Sequence, residues 1–177
     1  MAKQFTPQQD MSTHIYPLPA ARLYLEKVGD MTGRMDVSVI NGVKLSFSAH
    51  LYNGDNYSNA SCGYYSLVMM MQFAELRKLI ERDTQVNGPF APYNHSLSTS
   101  TNYDNQRKDM SMQFLRDDKG IWNISLNVTG KPQILIPFTG IKTTIMSKQG
   151  GGYSAVELSA KHFVSWMNLV ESCAQVG

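Results

Sequence analysis

Apolar and polar residues alternate with a period of two in the first third of the chain. Leu45, Phe47 and Ala49 are apolar, whereas Ser46 and Ser48 between them are polar. This alternation predicts an antiparallel sheet that buries one face and leaves the other in contact with water. We expect strands at 22–26, 36–39 and 43–52, with a short fourth strand before the first helical segment.

The same pattern returns later in the chain, where Trp122, Ile124 and Leu126 alternate with Asn123 and Ser125. Strands are expected at 110–114, 122–128 and 134–138, again with a short fourth strand before a helical segment. A second antiparallel sheet is therefore predicted.

Each predicted sheet is followed by a segment whose apolar residues recur at helical spacing. These residues are Met69, Phe73, Leu76 and Ile80 in the first segment, and Phe163, Met167, Val170 and Ala174 in the second. Ser66 can cap the first helix, and Ser154 with Glu157 has the S-x-x-E spacing of a capping box. Each helix has one apolar stripe, which we expect to cover its own sheet.

The two halves of the chain resemble each other in the order of these segments. Gly33 and Gly120 are expected in matching turns, Tyr65-Ser66 matches Tyr153-Ser154, and FAELRKLIE aligns without a gap with FVSWMNLVE. The fold class is therefore predicted as α+β, with two tandem repeats of four strands and one helix. The predicted boundaries are a flexible arm at 1–19, the first repeat at 20–83, a polar linker at 84–107 and the second repeat at 108–177, with 20–177 forming one folded domain.

A duplicated unit of four antiparallel strands and one helix resembles the Whirly family and its relatives, the Pur-repeat proteins and the transcriptional positive cofactor four family. The resemblance covers residues 20 to 175 and lies in the architecture. It implies two antiparallel sheets held by two helices about a pseudo-twofold axis, and binding of single-stranded nucleic acid. Some phage-encoded single-stranded DNA-binding proteins are similar to this superfamily, which implies a phage origin.

The composition limits the classes of protein to which the chain can belong. It has 16 Lys and Arg against 14 Asp and Glu, a formal net charge of +2, and 42% hydrophobic residues. These values are typical of a globular domain. The apolar stretches are too short to cross a bilayer, and the first residues carry no apolar secretion signal. We therefore expect a protein without membrane contact in the cytoplasm of a bacterial or phage-infected host cell.

The sequence lacks the spacing of a catalytic or metal site. Cys62 and Cys173 are far apart, so neither a disulfide framework nor a zinc site is predicted. There is no G-x-S-x-G motif and no pair of carboxylates near a histidine. We expect no cofactor, no metal and no enzymatic activity.

Binding an unpaired strand without reading its sequence requires cations near the phosphates and flat side chains on which bases stack. If the apolar positions of each strand face the helices, the opposite positions face outward. The candidate nucleic-acid-binding residues are Arg22, Tyr24, Lys44, His50, Tyr52, Gln113, Arg116, Lys119, Trp122, Asn123, Lys131 and Lys142. Trp122 shares the parity of Ile124, so it is either a core residue or, where the strand end twists, a stacking platform. The outward set is also compatible with an ordinary solvated sheet face.

The sequence thus favours a sequence-tolerant single-stranded DNA-binding protein that acts in DNA replication, recombination or transcription. We expect a homo-oligomer that contacts replication or transcription proteins. Single-stranded RNA is an alternative ligand, because the residue pattern does not distinguish the two sugars. A structural or assembly module that binds protein is the alternative from another class, and the eleven methionines favour it.

Overall fold

The computed structural model describes residues 14–86, 93–103, 106–138 and 153–174. Within these ranges the chain forms nine strands and two α-helices, arranged as two antiparallel sheets. The prediction of an α+β fold with two antiparallel sheets and two helices is confirmed.

The first sheet consists of five strands: β1 (Ile15–Pro17), β2 (Leu23–Val28), β3 (Met31–Ile40), β4 (Lys44–Asn53) and β5 (Asn56–Tyr65). From β2 to β5 each strand pairs antiparallel with the next, and β1 pairs with β3 beyond the end of β2. Residues 15–17 of the predicted flexible arm therefore belong to the sheet, while residues 1–13 lie outside the described residues. Asn41 and Gly42 turn the chain between β3 and β4 at φ 51° and 68°, the left-handed region that Asn-Gly pairs favour in hairpin turns.

The second sheet contains β6 (Tyr93–Tyr103), β7 (Gln106–Arg116), β8 (Trp122–Val128) and β9 (Ile134–Pro137), in that order. The prediction of a polar linker at 84–107 is corrected, because Tyr93–Tyr103 pairs along its whole length with β7. The side chains of β6 that face inward are mixed, with His95 and Thr99 on either side of Leu97, so apolar periodicity does not mark this strand. The fourth strand predicted before the second helix falls on residues outside the described ranges.

One helix follows each sheet: α1 (Ser66–Val86) and α2 (Ala155–Ala174). The capping box at the start of α2 is confirmed. The backbone N–H of Ser154 donates to Glu157 Oε2 (2.8 Å), and the backbone N–H of Glu157 donates to Ser154 Oγ (3.2 Å). Arg77 of α1 donates to Glu171 of α2, which joins the two helices. Neither of these described helices combines the length and the apolar character needed to cross a membrane.

Both sheets and both helices share one hydrophobic core. Trp166 of α2 lies at its centre, with ring centroids 6.1 Å from Phe47 of the first sheet, 5.7 Å from Phe73 of α1 and 5.5 Å from Phe138 after β9. The ring centroid of Phe73 also lies 6.3 Å from that of Phe114 of β7. The apolar stripe of α1 therefore packs against the second sheet as well as the first. Because the core fixes the inner face of each sheet, the outward face of the first sheet remains for other contacts.

Candidate nucleic-acid interface

Alternate residues of β2 to β5 point away from the core and form the outward face of the first sheet. Arg22, Tyr24, Lys44, His50 and Tyr52, which strand parity places on one side, all lie on this face or at its margin. Tyr24, Lys44 and Tyr52 are exposed, while Arg22 and His50 are half-buried.

Strand register arranges the outward face into rows that run across the sheet. Tyr24 is opposite Arg34, and Arg34 is opposite His50. His50 is in turn opposite Asn59 of β5, and the neighbouring row pairs Tyr52 with Tyr57. Residues from four strands therefore meet on one surface.

Three rings form a cluster at one end of this face. The centroids of Tyr52 and Tyr57 are 5.1 Å apart, and the ring of His50 stacks on Tyr57 at 5.9 Å. His50 Nδ1 and Tyr57 Oη are hydrogen-bonded at 2.6 Å, which fixes the orientation of both rings. Tyr57 is 52% exposed and Tyr24, on β2, is 62% exposed. Exposed flat rings of this kind can stack on unpaired bases.

One carboxylate holds the basic residues at the centre of the outward face. Asp36 accepts from Arg22 Nε at 2.5 Å and from Arg34 Nε at 3.0 Å, and its Oδ2 lies 3.5 Å from His50 Nε2. Hydrogen bonds to Tyr24 and Asp36 raise the pKa of Arg22 above its ordinary value. Two guanidinium groups against one carboxylate leave this cluster with a positive charge even when His50 is neutral.

The other end of the outward face carries a cation on an aromatic ring, beside small side chains. Lys44 Nζ lies 5.0 Å from the ring centroid of Tyr65, which is exposed. Between this pair and the tyrosine cluster, Ser48 Oγ and Ser61 Oγ are hydrogen-bonded at 2.8 Å. The middle of the face is therefore shallow and polar.

Lys131 reaches the first sheet although it belongs to the turn between β8 and β9. Its Nζ donates to Asn59 Oδ1 at 3.1 Å, across 72 residues of sequence. This contact brings one predicted cation from the second half of the chain next to the predicted residues of the first sheet.

The remaining predicted residues of the second half do not join this surface. Gln113 is half-buried on β7, and Asn123 is only 4% exposed. Asn123 Nδ2 donates to Ile121 O at 2.9 Å, so this side chain braces the preceding turn. Lys119 is exposed in that turn, where its backbone N–H donates to Asp117 Oδ1. Lys142 lies outside the described residues.

Arg116 and Trp122 lie in the buried layer, so the outward position predicted for Arg116 beside the turn is corrected. Arg116 is 3% exposed because it shares the inward parity of Phe114 on β7, and its Cζ lies 5.3 Å from the Trp122 ring centroid. The Trp122 ring packs 5.2 Å from Phe163 of α2. Of the two positions left open for Trp122, the core position is the one the structure has.

Tyr57, Tyr65 and Arg34 belong to the outward face but were not among the predicted site residues. The fourth strand of the first sheet was expected to be short, whereas β5 spans ten residues. Its buried residues Ala60 and Cys62 alternate with exposed ones. Applying the same parity rule to residues 56–65 would have found both tyrosines.

Burial perturbs three titratable groups of the interior. It raises the pKa of the Cys62 thiol to about 11 and also raises the pKa of Tyr64, whose hydroxyl donates to Leu97 O at 2.8 Å. It lowers the pKa of His162, which favours the neutral imidazole. Among the described residues no group of three or more His, Cys, Asp or Glu side chains is placed to hold a metal ion.

Comparison with models of known protein families finds no match to this chain, and a search of curated proteins finds no significant match.

Proposed function

We propose that this protein binds single-stranded nucleic acid on the outward face of its first sheet, with no strong preference for sequence. The observation that carries the proposal is the cluster of His50, Tyr52 and Tyr57, with Tyr24 on the same face. Stacking of a base on an aromatic ring contributes about 1 to 3 kcal/mol and tolerates every base.

The charges next to these rings support the same ligand. Arg22, Arg34, Lys44 and Lys131 lie beside or between the aromatic residues, where they can contact the phosphates of a strand stacked on the rings. Asp36 offsets part of this charge, which favours moderate and salt-sensitive affinity. We propose DNA as the ligand, with roles in replication, recombination or transcription, and RNA as the alternative.

The proposed architecture behind this function is a duplicated unit of the Whirly type. In its support, each sheet contains a run of four consecutive antiparallel strands, and a helix follows each run. In our proposal the two units are related by a pseudo-twofold axis and the protein assembles as a homo-oligomer in the cytoplasm of a bacterial or phage-infected cell. Light scattering with and without an oligonucleotide tests the assembly.

The test of the binding function is fluorescence anisotropy with a labelled dT oligonucleotide at increasing salt concentration. We expect the logarithm of the binding constant to fall linearly with the logarithm of salt, by about 0.7 for each phosphate neutralised. A duplex of the same length is the control and should bind more weakly, because its bases are not available for stacking. Absence of binding at low salt, or binding that salt leaves unchanged, would refute the proposal. A parallel titration with an rU oligonucleotide compares RNA with DNA.

Protein binding is a second candidate function, and the start of α1 favours it. Leu67, Val68 and Met71 are all exposed there, and Met71 follows Leu67 by four residues and Val68 by three, spacings that place side chains on one side of the helix. Exposed apolar patches often mark sites of protein contact. The double variant Leu67→Ser and Met71→Ser should change the assembly measured by light scattering if this patch is used, while the affinity for dT stays the same.

A further inference from the structure

His50 lies where the aromatic cluster of the outward face meets the basic residues around Asp36. Its Nε2 is 3.5 Å from Asp36 Oδ2, and its Nδ1 is hydrogen-bonded at 2.6 Å to Tyr57 Oη. Of the His50 side chain, 19% is exposed. Each ring nitrogen therefore faces a protein group, and each of these contacts depends on whether the ring is charged.

The groups that surround His50 come from every neighbouring element of the surface. Arg34 of β3 is opposite His50 in the strand register, and Asp36 follows it on the same strand. The other titratable or charged groups on this part of the face are Arg22 and Tyr24 on the side of β2, Tyr52 of β4, Tyr57 of β5, and Lys131, which bonds to Asn59 opposite His50. Asp36 attracts a charged imidazole, whereas the three cations oppose it. A bound anion can therefore shift the balance between the two forms of the ring.

Protonation of His50 changes both the charge and the hydrogen bonding of this surface. Histidine is the side chain that gains and loses a proton between about pH 5 and pH 8. In the neutral ring one nitrogen donates and the other accepts, whereas in the charged ring both donate. A charged His50 therefore donates from Nδ1 to Tyr57 Oη, and the hydroxyl hydrogen of Tyr57 turns to another acceptor.

The charge on His50 adds to an existing excess of positive charge. Arg22 and Arg34 share the single carboxylate of Asp36, so the group is cationic before the ring takes up its proton. The phosphates of a nucleic acid near this group favour the charged form of the imidazole, as any opposite charge close to a titratable group does.

We propose that His50 couples nucleic-acid binding to pH, because a bound strand takes up a proton from solvent at this ring. This inference rests on the proposed function and specifies how the same site is regulated. The His50 ring stacks on Tyr57, so a base stacked on the tyrosine cluster brings its phosphates close to His50. By linkage, a ligand that favours the protonated ring binds more tightly as the pH falls.

The first test measures the affinity for a dT oligonucleotide at constant salt between about pH 8 and pH 6, the range in which histidine changes its charge. Uptake of one proton raises the binding constant by up to about tenfold for each pH unit. The wild type should therefore bind severalfold more tightly at the lower pH. His50→Gln stays neutral, so it should bind equally at both values.

Two further variants control this comparison. His50→Arg carries a fixed positive charge, so at the higher pH it should bind more tightly than the wild type and should show little dependence on pH. His95→Gln is the matched control, because His95 is a half-buried histidine on β6 that bonds to Gln72 of α1 instead of lying on the outward face. This variant should keep the pH dependence of the wild type.

A second measurement needs no variant. Proton NMR of the wild-type protein follows the ring signals of its four histidines during a pH titration. With dT bound, the His50 ring should stay charged to a higher pH than in the free protein. The signals of His95 should titrate in the same way with and without dT.

The outcomes separate this inference from the function on which it rests. If the wild type binds dT equally at both pH values, or if His50→Gln keeps the full pH dependence, the coupling through His50 is wrong although the binding function stands. The coupling is also wrong if the His50 signals titrate alike with and without dT. If the wild type binds no oligonucleotide at either pH, the proposed function itself fails.

Discussion

The rings of Tyr52 and Tyr57 lie 5.1 Å apart because antiparallel pairing places the two residues opposite each other on β4 and β5. Backbone register, rather than a flexible loop, therefore sets the distance between them. His50 bonds to the Tyr57 hydroxyl and limits its rotation. A platform fixed in this way loses little conformational entropy when a base stacks on it.

Replacing Tyr52 and Tyr57 with alanine should weaken binding of dT by about 1 to 3 kcal/mol for each base that stacks on them. The measurement is anisotropy at fixed salt, and the salt slope should stay the same because no cation is removed. Tyr153→Ala is the matched control, since Tyr153 contacts Lys161 beside α2, away from the outward face. Equal affinity of the double variant and the wild type would exclude these rings from the site.

Asp36→Asn should strengthen binding of an oligonucleotide. The carboxylate neutralises part of the charge of Arg22 and Arg34, so its loss makes both guanidinium groups more available to phosphates. The salt slope should steepen, by up to about 0.7 for each additional phosphate contacted. Asp118→Asn makes the same change of charge in an exposed turn of the second sheet and should have a smaller effect. Weaker binding by the Asp36 variant would mean that the ion pairs are needed to orient the arginines.

Gly33 and Gly63 offer a matched pair for a test of stability. A Cβ at Gly33 would lie 2.9 Å from the carbonyl oxygen of His50, so the backbone of β3 or β4 would have to move. At Gly63 the nearest atom, Leu45 O, would be 3.9 Å away, an ordinary contact. We expect Gly33→Ala to lower the free energy of unfolding by about 1 to 3 kcal/mol in urea titrations, and Gly63→Ala to change it little. If the two variants lower the free energy of unfolding equally, the backbone around Gly33 accommodates the added Cβ without a loss of stability.

Trp166→Phe should lower the free energy of unfolding by more than the loss of ring volume alone would. The indole N–H of Trp166 donates to Ala21 O at 2.8 Å in a buried setting, and phenylalanine leaves that carbonyl without its donor. A buried acceptor that loses its partner costs about 1 to 3 kcal/mol. Trp122→Phe removes a similar volume from the same core and is the control in urea unfolding. If the two variants unfold alike, the hydrogen bond contributes nothing measurable.

The free energy of unfolding should fall as the pH rises from about 9 to about 11, because burial raises the pKa of Cys62 from 9.0 to about 11 in the folded chain. The thiol ionises more easily in the unfolded chain than in the folded one. Its contribution to stability is therefore fully present below the unfolded pKa of 9.0 and is lost as the pH rises through the folded pKa of about 11. Cys62→Ala should show a smaller fall over this range in denaturant titrations. Iodoacetamide at pH 8 should modify Cys173 and spare the buried Cys62 until urea is added.

Much of the first sheet could be predicted from the sequence because strand parity needs only local geometry. The alternation around Leu45 and Phe47 predicts the outward side on which the structure places Tyr24, His50 and Tyr52. The same rule, extended along β7, would have placed Arg116 inside with Phe114. Because Arg116 lies beside a turn, the sequence suggests that its side chain is exposed. In the structure the buried layer extends to Arg116 at the end of β7.

Other parts of the site depend on how distant elements pack, which local patterns do not encode. The β6 strand carries Ser, Thr and Asn at most positions, so pairing with β7 rather than apolar periodicity defines it. The contact between Lys131 and Asn59 arises only when the second sheet packs against the first.

The central position of Trp166 has a consequence for synthesis of the protein. Phe47, Phe73 and Phe138 are all translated before α2, and the ring on which they converge leaves the ribosome after them. Until then, the inner faces of both sheets lack their shared partner and present apolar surface to solvent or to chaperones. The core is therefore completed only after α2 has been translated, whatever local hairpins have formed earlier.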